Sequence, residues 1–413
     1  MNQHIKYGVI AIFLLMLACS SSGQDDANPQ AGPALESLPY HVAPDTVPTQ
    51  SEGEVFRMLE TACQRWNRQA PAQDPGLTFA ARDLAKFMSE RGPKEFGNIT
   101  NREISKFLLG RGVTDNYFAA HMSSQFRVVE MEDLVEGAIL RQIRSQGFTH
   151  VGVGVVSKFI PPLKYIAVIM IKRDVELDPF PRTVKRNESM ILTGRVVQGE
   201  NPTVIISQPI GAMREFHVKV DDNMRFRQPL TFDGGSGLYR VEIQVERDSS
   251  PEIASLFSVI AQGEGEPLLT EPTPIPGEPT IDPALGEKKL IELINLERKK
   301  NSLAPLTVDG RLMKIAQEHS LEMARKNFIS HKSPTTGFIQ DRAKEAGINF
   351  RIIAENVALN LSAEAAHESL MASPAHSSAI LDPQVTLVGV GVVRATRAGS
   401  RQLYVTEVFC LPQ

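Results

Sequence analysis

The chain has 413 residues and a formal net charge of −4. That length is enough for two or three domains with their own cores. The slightly acidic balance provides no basic footprint, which argues against a dedicated nucleic-acid binder. Hydrophobic residues at 42% and charged residues at 22% exclude a mostly disordered chain.

Residues 1–18 open with one lysine and the apolar run "YGVIAIFLLMLA". The run is short for a membrane span and has the shape of a secretory signal segment. The junction "LAC" resembles a bacterial lipobox, with Met16 at a position usually held by Leu. That resemblance implies lipidation of Cys19 and a membrane partner through the acyl chains. Ser20 resembles the signal for onward sorting to the outer membrane. The alternatives are an ordinary cleaved signal peptide or a short anchor. Residues 19–50, rich in Ser, Gly, Pro and acids, read as a disordered stalk.

Residues 51–175 begin with helical patterns ("EVFRMLETACQRWNRQ", "FAARDLAKFMSE", "MEDLVEGAILRQIRSQ") and end in the β-rich runs "HVGVGVVSKF" and "KYIAVIMIKR". Over 183–263, short strands such as "SMILTGRVV" and "LYRVEIQVE" recur between turn residues, the spacing of a small β-sandwich. There "FDGGSGLYRVEI" resembles the tyrosine corner of immunoglobulin-like domains, with Tyr239 as a structural corner residue. Residues 264–280 form a Pro-rich linker. Residues 281–413 repeat the first block's order of helices and then strands. The word "VGVGVV" stands at both 151–156 and 388–393, and "LTFAAR" at 77–82 matches "LTVDGR" at 306–311 in spacing. A diverged internal duplication explains this order, with chance similarity of apolar words as the alternative. If Cys19 is lipidated, Cys63 and Cys410 remain, as a bridge between blocks or as two buried thiols.

Three short words in the last block carry polar chemistry: "FISHKSP" with His331, "AENVA" with Glu355 and "SPAHSSAIL" with His376. Taken singly, each residue reads as an ordinary polar group. In this order, followed by "VGVG", the words resemble the bacterial CAP superfamily, the cysteine-rich secretory, antigen 5 and pathogenesis-related group, also called SCP. The resemblance covers about 125 residues. It implies an α-β-α sandwich with a cavity lined by two His and two Glu.

The whole chain is therefore expected to be α+β: a degenerate CAP-like domain, an immunoglobulin-like β-sandwich and a C-terminal CAP domain. His331, Glu355 and His376 map onto three cavity positions. No acid stands at the fourth, where Glu368, or Glu364 one turn earlier, could reach inward. Ala354, Ala375 and Ser377 replace the family's usual neighbours. Two imidazoles and a carboxylate suit a divalent cation such as zinc, although the H-E-x-x-H helix of metalloproteases is absent. Ser373 and Ser377 read as helix caps, His319 as packing or capping, and His367 as solvated. Three functions follow: binding of an extracytoplasmic lipid, glycan or protein; a hydrogen-bonded structural cluster; or a metal-dependent hydrolase. The first block, with His121 and His150 but none of the three words, reads as a copy that kept the scaffold and lost the cluster.

Overall fold

The computed structural model describes residues 38–159, 162–209, 212–263, 280–397 and 400–413. Cys19, the stalk up to residue 37 and nearly all of the Pro-rich linker lie outside them. The fold is mixed α+β, in three blocks. The first contains α1 (Gln50–Arg65), β1 (Ala72–Gln73), α2 (Pro75–Arg91), α3 (Asn101–Gly110), β2 (Phe118–Gln125), α4 (Glu132–Leu134), α5 (Leu140–Gln146), β3 (His150–Phe159) and β4 (Pro162–Ile171). The middle block is all strand: β5 (Val175–Leu177), β6 (Thr183–Lys185), β7 (Ser189–Val196), β8 (Glu200–Ser207), β9 (Met213–His217), β10 (Arg225–Thr231), β11 (Gly237–Arg247) and β12 (Ser250–Gln262). The last block has α6 (Pro283–Lys300), β13 (Thr307–Val308), α7 (Gly310–Lys326), α8 (Ile339–Glu345), β14 (Phe350–Asn360), α9 (Ala363–Ala372), α10 (Pro374–Ile380), β15 (Leu387–Arg397) and β16 (Ser400–Pro412).

The first and last blocks share one topology. Their sheets run β1-β3-β4-β2 and β13-β15-β16-β14, with the short first strand parallel to its neighbour and the other pairs antiparallel. The repeated "VGVG" has a physical cause. A Cβ on Gly154 would lie 2.2 Å from the backbone of Ala81, and one on Gly391 would lie 2.2 Å from Gln317 N. The bare glycines let α2 and α7 press their backbones onto the sheet. The valines of the same word point to the opposite face. Val388, Val390 and Val392 pack there with Leu290, Ala366 and Leu370, while Leu312, Ile315 and Ala343 belong to a separate core with Val408.

Asp74 caps α2 and Asp309 caps α7. The two blocks thus correspond from Asp74 to Asp309, and the matched words "LTFAAR" and "LTVDGR" are out of register. The helix expected over 131–146 is broken into α4, a π-helical stretch Val135–Ile139 and α5. Gly137, a weak helix former, stands in the π-helical stretch. "AENVA" is extended backbone, the middle of β14.

The middle block has a three-stranded sheet, β10-β7-β5, and a five-stranded one, β6-β12-β11-β8-β9. Leu192, Phe226 and Leu230 from the first share a core with Val204, Val241 and Val259 from the second. Tyr239 is buried, and its Oη donates to Gly235 O at 3.0 Å. Cys63 and Cys410 are both free, buried thiols. Among the described residues, no helix is long and apolar enough to cross a membrane.

The blocks are joined by polar contacts. Arg173 bonds Asp74 at 2.9 Å and Asp115 at 3.0 Å, and Asp115 bridges to Ser255 of β12. Ser373 of the last block bonds Glu242 of β11 at 2.6 Å. Arg102 of α3 pairs with Glu368 of α9 at 2.9 Å.

Candidate functional site

His331 lies in the loop after α7. Asn327, in the left-handed conformation at φ 56°, ends that helix. Ser333 and Gly337 then close a tight turn, and the hydroxyls of Ser333 and Thr335 donate to Glu322, each at 2.5 Å. His319, buried on α7, donates from Nε2 to Ser330 O at 2.9 Å. This fixes the tautomer, so that His319 Nδ1 accepts from Arg342 Nη1 at 2.9 Å. Burial, with the Arg342 charge beside it, holds the His319 pKa below the usual histidine range.

Arg342 then forks. Its other terminal nitrogen donates to Glu355 Oε2, and Glu355 Oε1 accepts from His331 Nδ1 at 3.1 Å. The Glu355 side chain is 1% exposed and that of Arg342 is 6%, so the pair is buried. Both oxygens of Glu355 are engaged, which leaves Nε2 as the ring nitrogen of His331 free for the cleft.

His376 sits in the first turn of α10, its ring 6.0 Å from that of His331. Ser373 is the N-cap: its Oγ accepts from His376 N at 3.2 Å and lies 2.9 Å from His376 Nδ1. Asn356, next to Glu355 on β14, donates to His376 O and to Glu407 Oε2, both at 3.1 Å. By surface His376 is half-buried. Burial, with His331 adding like charge, lowers its pKa to about 3. Such an imidazole is a poor general base near neutral pH.

His331, Glu355 and His376 therefore come together as the sequence suggests, and line a cleft of about 1460 Å³. Its walls come from all three blocks: Tyr117 and Gln146 from the first, Met213 and Arg240 from the middle, Phe328 and Met371 from the last. Glu368 is not among the cleft residues, being drawn to Arg102. Glu364 is likewise taken, by Thr280 Oγ1 at 2.7 Å and Thr280 N at 2.9 Å. His367 is not solvated: it is 1% exposed, and neither ring nitrogen has a hydrogen-bond partner. His121 of the first block is also buried, against Gln142 at 2.9 Å.

The donors do not fit a zinc shell. A zinc site needs three side chains converging at about 2.0–2.2 Å, whereas Glu355 is committed to Arg342 and His331. Among the described residues, no group of three or more His, Cys, Asp or Glu is placed to hold a metal ion.

Sequence reasoning missed Arg342 and Glu242. Arg342 carried a signal, since it shares the buried face of α8 with Ile339 and Ala343, a place where a cation requires an acid. Glu242 alternates along β11 with inward Val241 and Ile243, and reads as solvated.

This arrangement defines a class: a helix-flanked sheet carrying a His–Glu–His cluster at the mouth of a cleft. Residues 291–409 match the model of the cysteine-rich secretory protein family, CAP. The C-terminal block is a CAP domain. It is similar to the protein YkwD of Bacillus subtilis (strain 168), 38% identical over 117 residues that cover 28% of this chain and 46% of that protein. The membrane protein YlbC of the same organism is 37% identical over 110 residues, 26% of this chain and 32% of that one. The chain thus spans half or less of the length of these relatives. A structure of an extracellular SCP-domain protein from Bacillus anthracis str. Ames is 20% identical, with a TM-score of 0.28, covering 43% of this chain and 65% of that one.

Proposed function

We propose that the chain is an extracytoplasmic protein, lipid-anchored through Cys19 to the outer membrane. Its CAP domain binds a hydrophilic envelope or extracellular ligand, a glycan or a protein segment, in the cleft beside His331 and His376. The observation that carries this reading is the engagement of Glu355. One oxygen is bonded to Arg342 and the other to His331, so the carboxylate orients the cluster and the imidazoles are what it presents to the cleft. The lowered pKa of His376 points the same way, because it weakens that imidazole as a base.

The cleft is lined by polar and apolar groups in nearly equal measure, with Asn116, Gln146, Arg240 and Asn327 beside Met213, Leu238, Phe328 and Met371. A glycan or protein segment can answer both kinds of wall, whereas a bare acyl chain would strip water from the polar groups without replacing its hydrogen bonds. Two further readings belong to this proposal. The middle block is an immunoglobulin-like sandwich, supported by the Tyr239 corner bond, and the first block is a degenerate CAP copy, supported by the shared strand order.

The test is binding of the detergent-solubilised protein to arrayed glycans, peptides and fatty acids. Retention of hydrophilic members, lost in H331A/H376A, is the expected result. Retention of fatty acids alone, or equal binding by the variant, would refute it. For the anchor, C19S should lose incorporation of a palmitate label and leave the membrane fraction.

A further inference from the structure

The last block supplies no acid for His376, but the middle block does. Glu242 of β11 is completely buried, and three donors converge on its carboxylate: Ser373 Oγ at 2.6 Å, Gln244 Nε2 at 2.6 Å and the backbone N–H of Ala375. Among the described residues, no cation pairs with it. Burial raises its pKa while these three bonds oppose the rise. Two of the three donors come from the turn that starts α10, the helix that carries His376.

With Glu242 as the carboxylate its three donors hold, the hydrogen-bond bookkeeping at Ser373 sets the imidazole. A serine hydroxyl has one proton and two lone pairs. Its proton goes to Glu242, so its oxygen accepts twice: from His376 N at 3.2 Å and from the ring Nδ1, 2.9 Å away. We propose that Glu242 is a positioning residue for His376. Acting through Ser373, it holds the ring in the Nδ1–H tautomer, so that Nε2 is the bare acceptor available to the cleft. His331 is oriented in the same sense by Glu355, and the two rings form a matched pair of acceptors 6.0 Å apart. The middle block thus completes the site of the CAP domain from a strand 131 residues away in sequence. This does not depend on which ligand enters the cleft.

The test is nitrogen NMR of the whole protein labelled with 15N only in its nine histidines, with H376N used to assign the ring signals. The wild type should show His376 with a pyrrole-type Nδ1 and a pyridine-type Nε2. In E242A, the Ser373 proton is free to turn to Nδ1, and the two signals should exchange character; in S373A, the preference should be lost. A wild-type Nε2–H tautomer would overturn the proposal without any variant, and so would a folded E242A with unchanged His376 signals. Ligand binding is scored separately, so failure of the proposed function leaves this result readable.

Discussion

Replacing Arg342 by Met tests whether the cluster is held by charge compensation. The Glu355 side chain is 1% exposed and, among the described residues, Arg342 is the permanent cation paired with it. Removing one partner of a buried ion pair leaves an uncompensated charge, at a cost of about 3–5 kcal/mol. The pair itself contributes little net stability, because burying both charges offsets most of their attraction. R342M/E355L should therefore recover most of what R342M loses. His331 Nδ1 would lose its acceptor in the double variant, but its side chain is 23% exposed and water can replace it. The full chain has three blocks, so the readout is hydrogen exchange at the amides of β14 and β16, which reports the opening of this sheet directly. A loss below about 1 kcal/mol in R342M, or a double variant as unstable as the single, would refute the reasoning.

Other residues give sharp expectations. A methyl group at Gly154 or Gly391 would meet helix backbone at 2.2 Å, so G154A and G391A should each lower the melting temperature of their block, with an overpacking cost of about 1–3 kcal/mol; a neutral result at either glycine contradicts the shared packing. His367 is buried with no hydrogen-bond partner for its ring nitrogens, and H367L should stabilise the domain by roughly 1–3 kcal/mol. Its pKa is lowered by burial to about 4, so the fold keeps it neutral while the unfolded chain takes up a proton below 6.5. Stability should fall as pH drops from 6.5 towards 4, and urea titrations of H367L should show less of that fall. Glu407 has the opposite sign: burial raises its pKa to about 7 from 4.5, so stability is lost as pH rises through that window. E407Q should match wild type near pH 4 and exceed it by roughly 3 kcal/mol at pH 8; an advantage that does not grow with pH would refute this.

What the sequence made legible follows from how far each residue's partners lie along the chain. His331, Glu355 and His376 each stand in a short word that shapes its own backbone: the Ser333 turn, the middle of β14 and the Ser373 cap. The glycine word was legible for a different reason: close contact with a distant helix leaves no alternative to glycine at two alternate positions. Matching by letters then misled. "LTFAAR" lies inside α2, whereas "LTVDGR" spans β13 and the cap of α7, and the aspartates that begin the helices are the true equivalents. His367 and Glu368 were misjudged together. α9 buries one of these neighbours against the core and presents the other to Arg102 of a different block, a contact that no helical pattern contains.

Glu242 is the extreme case. Along β11 the inward residues are Val241, Ile243 and Val245, and strict alternation places Glu242 on the face that normally meets water. Read strand by strand, it is a solvated acid. It becomes a buried partner only because α10 of another block covers that face and brings Ser373 and the Ala375 amide to it. The CAP words of this chain carry no acid at the fourth position, and the three-block assembly places one next to His376 through a serine. The completeness of the site is thus a property of how the blocks dock, which is why breaking the Glu242–Ser373 contact should alter the His376 ring while the CAP domain keeps its fold.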